Sequence, residues 1–140
     1  MAYKAMDIAQ YVIDKCTTDK HPISNLQLQK ILYYVQKSFL EYDSIAFDDD
    51  FEAWQFGPVV PEVYYRYCGF GSTGIRKKYV TNIQKNYLAI INPIVEKKRK
   101  LDPWYLVEDT HKAGKAWDSI YKNGRGNHCV IPKELIKVKG

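Results

Sequence analysis

The sequence predicts a compact, mainly α single domain covering residues 1–140, with at most a small β element. Two stretches in the first forty residues repeat apolar side chains at helical spacing, and further helix-start signals follow at later proline residues. A chain of 140 residues has the length of one ordinary domain and can bury a substantial core. No internal repeat, low-complexity tract or linker-like segment divides the sequence.

The first amphipathic stretch predicts a helix over about residues 3–16. Its apolar positions follow the helical repeat: Ala5, Ile8, Ala9, Val12, Ile13 and Cys16. A polar turn over residues 17–22 then leads into the next stretch. Because this connection is short, we expect the two helices to be neighbours that pack their apolar faces together.

The second stretch, Ile23–Leu40, is the predicted central helix. Ser24 and Gln27 have the spacing of a capping box, in which each side chain accepts a hydrogen bond from the other residue's backbone N–H. One wide apolar stripe follows, formed by Leu28, Ile31, Leu32, Val35 and Phe39. The stripe predicts a core helix, and by itself it indicates no function.

The segment after the central helix is first acidic and then rich in aromatic residues. Residues 48–50 are an acidic run, which we interpret as a solvated turn because the spacing of a calcium loop is absent. The aromatic residues of 51–56 predict a short strand, and Gly57-Pro58 should break the chain direction. Pro61 suits the first position of a new helix, and Glu62 adds a favourable charge to its first turn.

The C-terminal half carries further helix signals. Thr81 and Gln84 repeat the capping-box spacing before an isoleucine-rich stripe, and Pro93 should kink or restart that helix. Asp102-Pro103 predicts the cap and first position of another helix. Two more elements complete the prediction, a short segment around Trp117 and a last helix starting over 131–136.

Composition excludes several protein classes. The net charge of +5 permits an acidic partner or nucleic acid without requiring either. No run approaches the roughly 20 apolar residues of a membrane helix, and the first ten residues have no signal-peptide pattern, so we expect a cytoplasmic protein. Three widely spaced cysteines indicate reduced thiols. The twelve tyrosines and three tryptophans favour half-buried positions and interfaces.

We find no motif for catalysis, a cofactor or a metal. The histidines, His21, His111 and His128, lack the spacing of a zinc site, and no phosphate-binding glycine motif is present. Thr110-His111, with Gly114 and Trp117, predicts a polar cluster in which the histidine is structural and is satisfied by a neighbouring hydroxyl or carbonyl. We therefore predict no catalytic residues, no metal and no cofactor, and a protein that is not an enzyme.

Three segments carry a family resemblance. They are ISNLQLQKILYYVQ (23–36), EAWQFGPVVPEVY (52–64), and Thr110-His111 followed by Gly114 and Trp117. In this order they resemble the motifs of the Panacea domain family, also described as SocA-like or phage-associated proteins. The resemblance spans nearly the whole chain. One departure is Ala116, where many members have proline.

The resemblance implies an antitoxin of a toxin–antitoxin module. Such a protein neutralises a cognate toxin by direct binding, or acts as an adaptor that delivers the toxin to the ClpXP protease. The residues that we expect at or beside the recognition surface are Lys30, Tyr34, Trp54, Gln55, Phe56, Tyr64 and Tyr65. A competing interpretation holds that Trp54, Gly57, Pro58 and Val63 are shared because they build the core.

Two other functions stay open at this point. A nucleic-acid-binding regulator of a prophage or mobile-element operon would use the basic clusters 76–78 and 97–100. An enzyme would have to use His111 together with Thr110 or Cys68.

Overall fold

A computed structural model describes residues 3–140, which form seven α-helices and one three-stranded sheet. The helices are α1 Ala5–Thr18, α2 Asn25–Glu41, α3 Pro61–Tyr67, α4 Lys85–Lys98, α5 Pro103–Thr110, α6 Ala116–Tyr121 and α7 Lys133–Lys139. The strands are β1 Phe51–Trp54, β2 Gly57–Val59 and β3 Val130–Ile131. The prediction of a mainly α fold with a small β element is confirmed.

Helix α2 lies at the centre of the fold, in contact with α1, α3, α4, α5, α7 and β2. The predicted capping box starts it. The Ser24 hydroxyl oxygen accepts a hydrogen bond from the Gln27 backbone N–H at 3.2 Å, and the Gln27 amide oxygen accepts one from the Ser24 N–H at 2.9 Å. The predicted stripe is fully buried, but neighbours also cover polar positions of the helix, including Gln29, Lys30 and Gln36.

Helix α1 packs against α2 as expected, although it begins and ends two residues later than predicted. The acidic run explains part of this start. The Asp49 carboxylate accepts a hydrogen bond from the Ala5 N–H at 2.8 Å, and Asp50 forms an ion pair with Lys133 at 2.7 Å. Asp48 and Asp50 are exposed and the run lies outside any helix or strand, as expected of a solvated turn, and it also satisfies groups at the first turns of two helices.

The sheet has the strand order β2-β1-β3, and both pairings are antiparallel. Trp54 pairs with Gly57, so only two residues connect β1 to β2. Gly57 and Pro58 thus belong to a strand, and the change of direction occurs just before them. Ile131 of β3 pairs with Phe51 of β1, and the last helix begins at Lys133, within the predicted range 131–136.

Helix α4 differs from its prediction. It begins at Lys85, and the Gln84 side chain makes no capping hydrogen bond, so the second capping box was wrong. The Gln84 N–H donates instead to the Tyr3 hydroxyl at 2.9 Å. The helix continues through the exposed Pro93 without restarting. A long-range contact therefore replaces the local cap that the sequence suggested.

Helix α5 begins as predicted. The Asp102 carboxylate accepts a hydrogen bond from the Trp104 N–H at 2.8 Å, and Pro103 occupies the first turn. The buried side of α5 carries Leu106, Val107 and Thr110, which leaves Trp104 on the outside. Between residues 3 and 140, no helix is both long and apolar enough to cross a lipid bilayer.

Candidate protein-binding site

The site is organised around the two-residue turn between β1 and β2. Gln55 and Phe56 form its tip and are both exposed. Gly57 ends the turn with φ +123°, a conformation that side-chain-bearing residues rarely adopt. A Cβ at Gly57 would also collide with the ammonium group of Lys30. The turn therefore requires glycine for two independent reasons.

Two side chains from other elements hold the backbone of this turn. The Lys30 ammonium, from α2, donates a hydrogen bond to the Phe56 carbonyl oxygen. The Trp117 indole N–H, from α6, donates to the Trp54 carbonyl oxygen at 2.7 Å. Because both donors come from buried side chains, the tip is fixed to the core while Phe56 remains 48% exposed.

Beside the turn lies an aromatic cleft, which we define by its walls Trp54, Phe56, Tyr64, Trp104 and His128. Its volume is about 480 Å³, within the range of small-molecule and side-chain pockets. The Phe56 and Trp104 rings meet edge to face with centroids 5.4 Å apart, and His128 stacks on Trp54 at 4.2 Å. The rings support one another, so the cleft is formed without a ligand.

The polar residues in the floor of the cleft are already engaged within the protein. Gln29 donates to the Asn25 side-chain oxygen at 3.1 Å and accepts a hydrogen bond from the Val60 N–H at 3.0 Å. Asn25 donates to the Tyr64 carbonyl oxygen at 3.1 Å. These bonds occupy the main polar atoms of the floor, so the cleft favours an apolar or aromatic side chain over a polar ligand.

The structure brings together five of the seven predicted recognition residues. Trp54, Gln55, Phe56 and Tyr64 line the cleft, and the 60% exposed Tyr65 contacts the rings of Trp54 and Tyr64. Trp54 is half-buried, whereas Gly57, Pro58 and Val63 are buried. The core-building interpretation therefore fits those three residues and does not describe the position of Trp54.

Lys30 requires a correction. Its side chain is fully buried beneath the turn, so it has no surface with which to contact a partner. The sequence placed it off the apolar stripe of α2, but β2 and α5 cover that side of the helix. Burial lowers the pKa of the Lys30 ammonium to about 7.

Thr110 and His111 lie next to Lys30 at the end of α5. The Thr110 hydroxyl donates to the Val107 carbonyl oxygen at 3.0 Å, and the His111 ring stacks on Trp117 at 3.6 Å. Burial, followed by the positive charge of Lys30, lowers the pKa of His111 to about 4. Within residues 3–140 its buried Nε2 atom has no hydrogen-bond partner, whereas a hydrogen bond to the backbone of Phe56 opposes the fall in the pKa.

Tyr34 does not line the cleft. Its hydroxyl donates a hydrogen bond to the Asp109 carboxylate, and the Lys98 ammonium lies 4.0 Å from the centre of its ring. Partial burial raises the pKa of Asp109, but the Tyr34 hydrogen bond and the nearby Lys115 and Lys112 offset this effect and hold the pKa below its usual value. Tyr34 thus belongs to a charged surface at the other end of α5.

Sequence reasoning missed two walls of the cleft, Trp104 and His128. Trp104 precedes the buried positions of α5. A tryptophan at the start of a predicted helix could have been recognised in the sequence as a candidate binding residue. His128 had no such signal. It reaches Trp54 because its own N–H donates to the Ala53 carbonyl oxygen at 2.7 Å, a pairing that links residues 75 positions apart.

The described part of the chain offers no cluster of three or more His, Cys, Asp or Glu side chains placed to hold a metal ion. The three cysteines are unpaired. The walls of the cleft itself are aromatic side chains.

Comparison with known proteins agrees with the three motifs. The family described as "Antitoxin SocA-like, Panacea domain" matches residues 28–118, which include the turn, the cleft wall Trp104 and Trp117. Antitoxin SocA of Caulobacter vibrioides (strain NA1000 / CB15N) is 33% identical over 146 residues, covering 91% of this chain and 74% of the relative. No solved structure gives a significant match. The chain belongs to the SocA-like antitoxin family of Panacea-domain proteins.

Proposed function

We propose that this chain is the antitoxin of a toxin–antitoxin pair, and that it neutralises its cognate toxin by direct contact through the aromatic cleft. The observation that carries the proposal is the exposed aromatic surface around the cleft. Phe56, Tyr65 and Trp104 are 48%, 60% and 57% exposed, although each is large and apolar. Side chains of this kind are enriched among the residues that dominate binding energies at protein interfaces.

The rigidity of the turn supports the same function. Binding is weakened when flexible loops must be ordered, so a surface fixed in advance binds more tightly for the same contacts. Lys30 and Trp117 hold the carbonyl groups on either side of Gln55. The recognition tip is thus a small projection from the core. It is already ordered when the protein folds, so partner binding does not have to supply the free energy of ordering it.

Neutralisation has two routes within this proposal. In the first, the antitoxin covers the toxin and the complex accumulates. In the second, it acts as an adaptor and presents the toxin to the ClpXP protease. Both routes begin with the same contact at the cleft, so the cleft variants below affect both, and the amount of toxin in the cell distinguishes them.

The test is co-expression with the protein encoded by the adjacent reading frame. We expect that protein to stop growth alone and this chain to restore growth. Phe56→Ala and Trp104→Ala should each abolish rescue and weaken binding by about 2 kcal/mol, or about 30-fold in Kd. Tyr42→Ala is the matched control, because Tyr42 is 79% exposed and does not line the cleft.

Binding of the purified proteins is measured by calorimetry, and toxin levels are compared with and without ClpX. A toxin that accumulates in complex indicates sequestration, and one that disappears only when ClpX is present indicates delivery. A harmless neighbour, or rescue that survives both cleft substitutions, contradicts the proposal.

A further inference from the structure

A cluster of lysines surrounds Asp109 at the C-terminal end of α5. We call Lys98, Lys112 and Lys115 the lysine cluster. Lys112 and Lys115 place their ammonium groups 3.4 Å and 3.8 Å from the Asp109 carboxylate. Lys98 lies over the ring of Tyr34, whose hydroxyl donates to the same carboxylate.

The surroundings of Lys98 are positively charged. Burial is the main cause that lowers the pKa of Lys98, and Asp109 opposes it. The positive charges of Lys97, Lys37 and Lys115 lower it further. Helix α4 and the connection from α5 to α6 thus bring three ammonium groups to one place beside the Asp109 carboxylate, which α5 supplies, so the cluster has a net positive charge.

The lysine cluster is continuous with the aromatic cleft. Helix α5 has eight residues and is about 12 Å long. Its first turn carries Trp104 and Tyr105, both 57% exposed, and Trp104 contacts Phe56 at the mouth of the cleft. Its last turn carries Asp109. A partner segment of a few residues therefore spans both features.

We infer that the partner presents a segment in which a bulky apolar side chain is followed or preceded by carboxylates. The apolar side chain enters the aromatic cleft, and the carboxylates lie on the lysine cluster. The inference rests on the proposed function, since it describes the toxin surface that the antitoxin recognises. Opposite charges arranged in this way steer the encounter and fix its register.

The same surface is less suited to a nucleic acid. The cluster adjoins an aromatic cleft that favours an apolar or aromatic side chain, which the phosphate backbone of a duplex does not supply. Two other basic residues are engaged at α1, since Arg99 pairs with Asp19 at 2.7 Å and Lys78 lies 3.5 Å from Asp14. The partner chemistry that fits is an acidic and apolar protein segment.

The test compares two double charge reversals. Lys98→Glu with Lys112→Glu changes two members of the lysine cluster. Lys77→Glu with Lys122→Glu is the matched control, since it changes the net charge equally at exposed lysines outside the cluster and the cleft lining. Association of each variant with the purified protein from the adjacent reading frame is measured by stopped flow over a range of salt concentrations.

We expect the cluster variant to associate about tenfold more slowly at low salt and to lose most of its salt dependence, because rim charges act chiefly on the association rate. The control variant should follow the wild type more closely. If both variants slow association equally, the effect is one of net charge and the inference is overturned.

The outcomes separate this inference from the proposed function. If the wild type does not bind the neighbouring protein, the proposed function has failed. If the wild type binds and Phe56→Ala abolishes binding, but the cluster variant equals the control, only the inference has failed. A fluorescein-labelled DNA duplex of mixed sequence is titrated in parallel. Duplex binding lost in the cluster variant, with toxin binding unchanged, would assign the cluster to nucleic acid and overturn the inference.

Discussion

The buried ammonium of Lys30 donates a hydrogen bond to the carbonyl oxygen of Phe56, a residue whose ring is half exposed. This bond connects the central helix directly to the tip of the candidate binding surface. It also places an ionisable group in the core, where water cannot solvate its charge. The stability of the fold and the geometry of the binding surface thus depend on the same side chain.

The first prediction concerns pH. The pKa of Lys30 falls from 10.5 to about 7 in the folded protein, so the unfolded chain binds the proton more tightly. The free energy of unfolding should therefore rise with pH between about 7 and 9, by up to about 1.4 kcal/mol per pH unit from this group. Urea unfolding at several pH values measures the slope.

Lys30→Met is the matching variant for this slope. It removes the ionisable group and leaves the Phe56 carbonyl without this donor. The contribution of Lys30 to the slope should vanish in the variant. Equal slopes in the wild type and the variant would show that Lys30 keeps an ordinary pKa.

The second prediction concerns Gly57. Gly57→Ala places a Cβ against the Lys30 ammonium at a backbone φ of +123°, so it combines a steric collision with backbone strain. We expect a loss of about 2–4 kcal/mol in unfolding free energy. Gly69→Ala is the control, because a Cβ there meets no atom within 4 Å. Thermal unfolding of both variants measures the two losses in stability. Comparable losses would show that the turn does not require glycine at position 57.

The third prediction concerns Gln36, which is fully buried in α2. Its amide donates to the Phe47 carbonyl oxygen and accepts from the Ala46 N–H, both at 2.8 Å. Gln36→Leu leaves both backbone groups buried without a partner and should cost about 2–4 kcal/mol. Gln55→Leu, at an exposed position, should change the unfolding midpoint little. A stable Gln36→Leu protein would mean that the connection after α2 rearranges freely.

The fourth prediction concerns the helix cap. Ser24→Ala removes the acceptor for the Gln27 N–H and should lower the unfolding free energy by about 1 kcal/mol. Ser44→Ala changes an exposed serine outside any helix, and we expect an effect within about 0.5 kcal/mol. Denaturant titration resolves this difference. If the two variants were equal, the capping box would contribute nothing measurable to α2.

Local signals predicted much of the fold correctly. The cap at Ser24, the cap at Asp102 and the helix start at Pro61 depend on groups within three residues of one another, so the sequence shows them directly. The second capping box was wrong for the opposite reason. The Gln84 N–H donates to the hydroxyl of a residue far away in the sequence, Tyr3, and a contact of this kind cannot be predicted from the residues around Gln84.

The sequence by itself determined that α2 is the core helix, that a short strand precedes Gly57, and that an aromatic segment carries the family motif. Tertiary structure decided which of those aromatic side chains meet. It placed Trp104 and His128 beside Trp54, buried Lys30 and separated Tyr34 from the cleft. The physical reason is that an amphipathic stripe in the sequence identifies one buried face of a helix, whereas neighbouring elements bury several faces of α2. The deciding contacts, such as those from Lys30 to Phe56 and from Tyr34 to Asp109, join residues 26 and 75 positions apart.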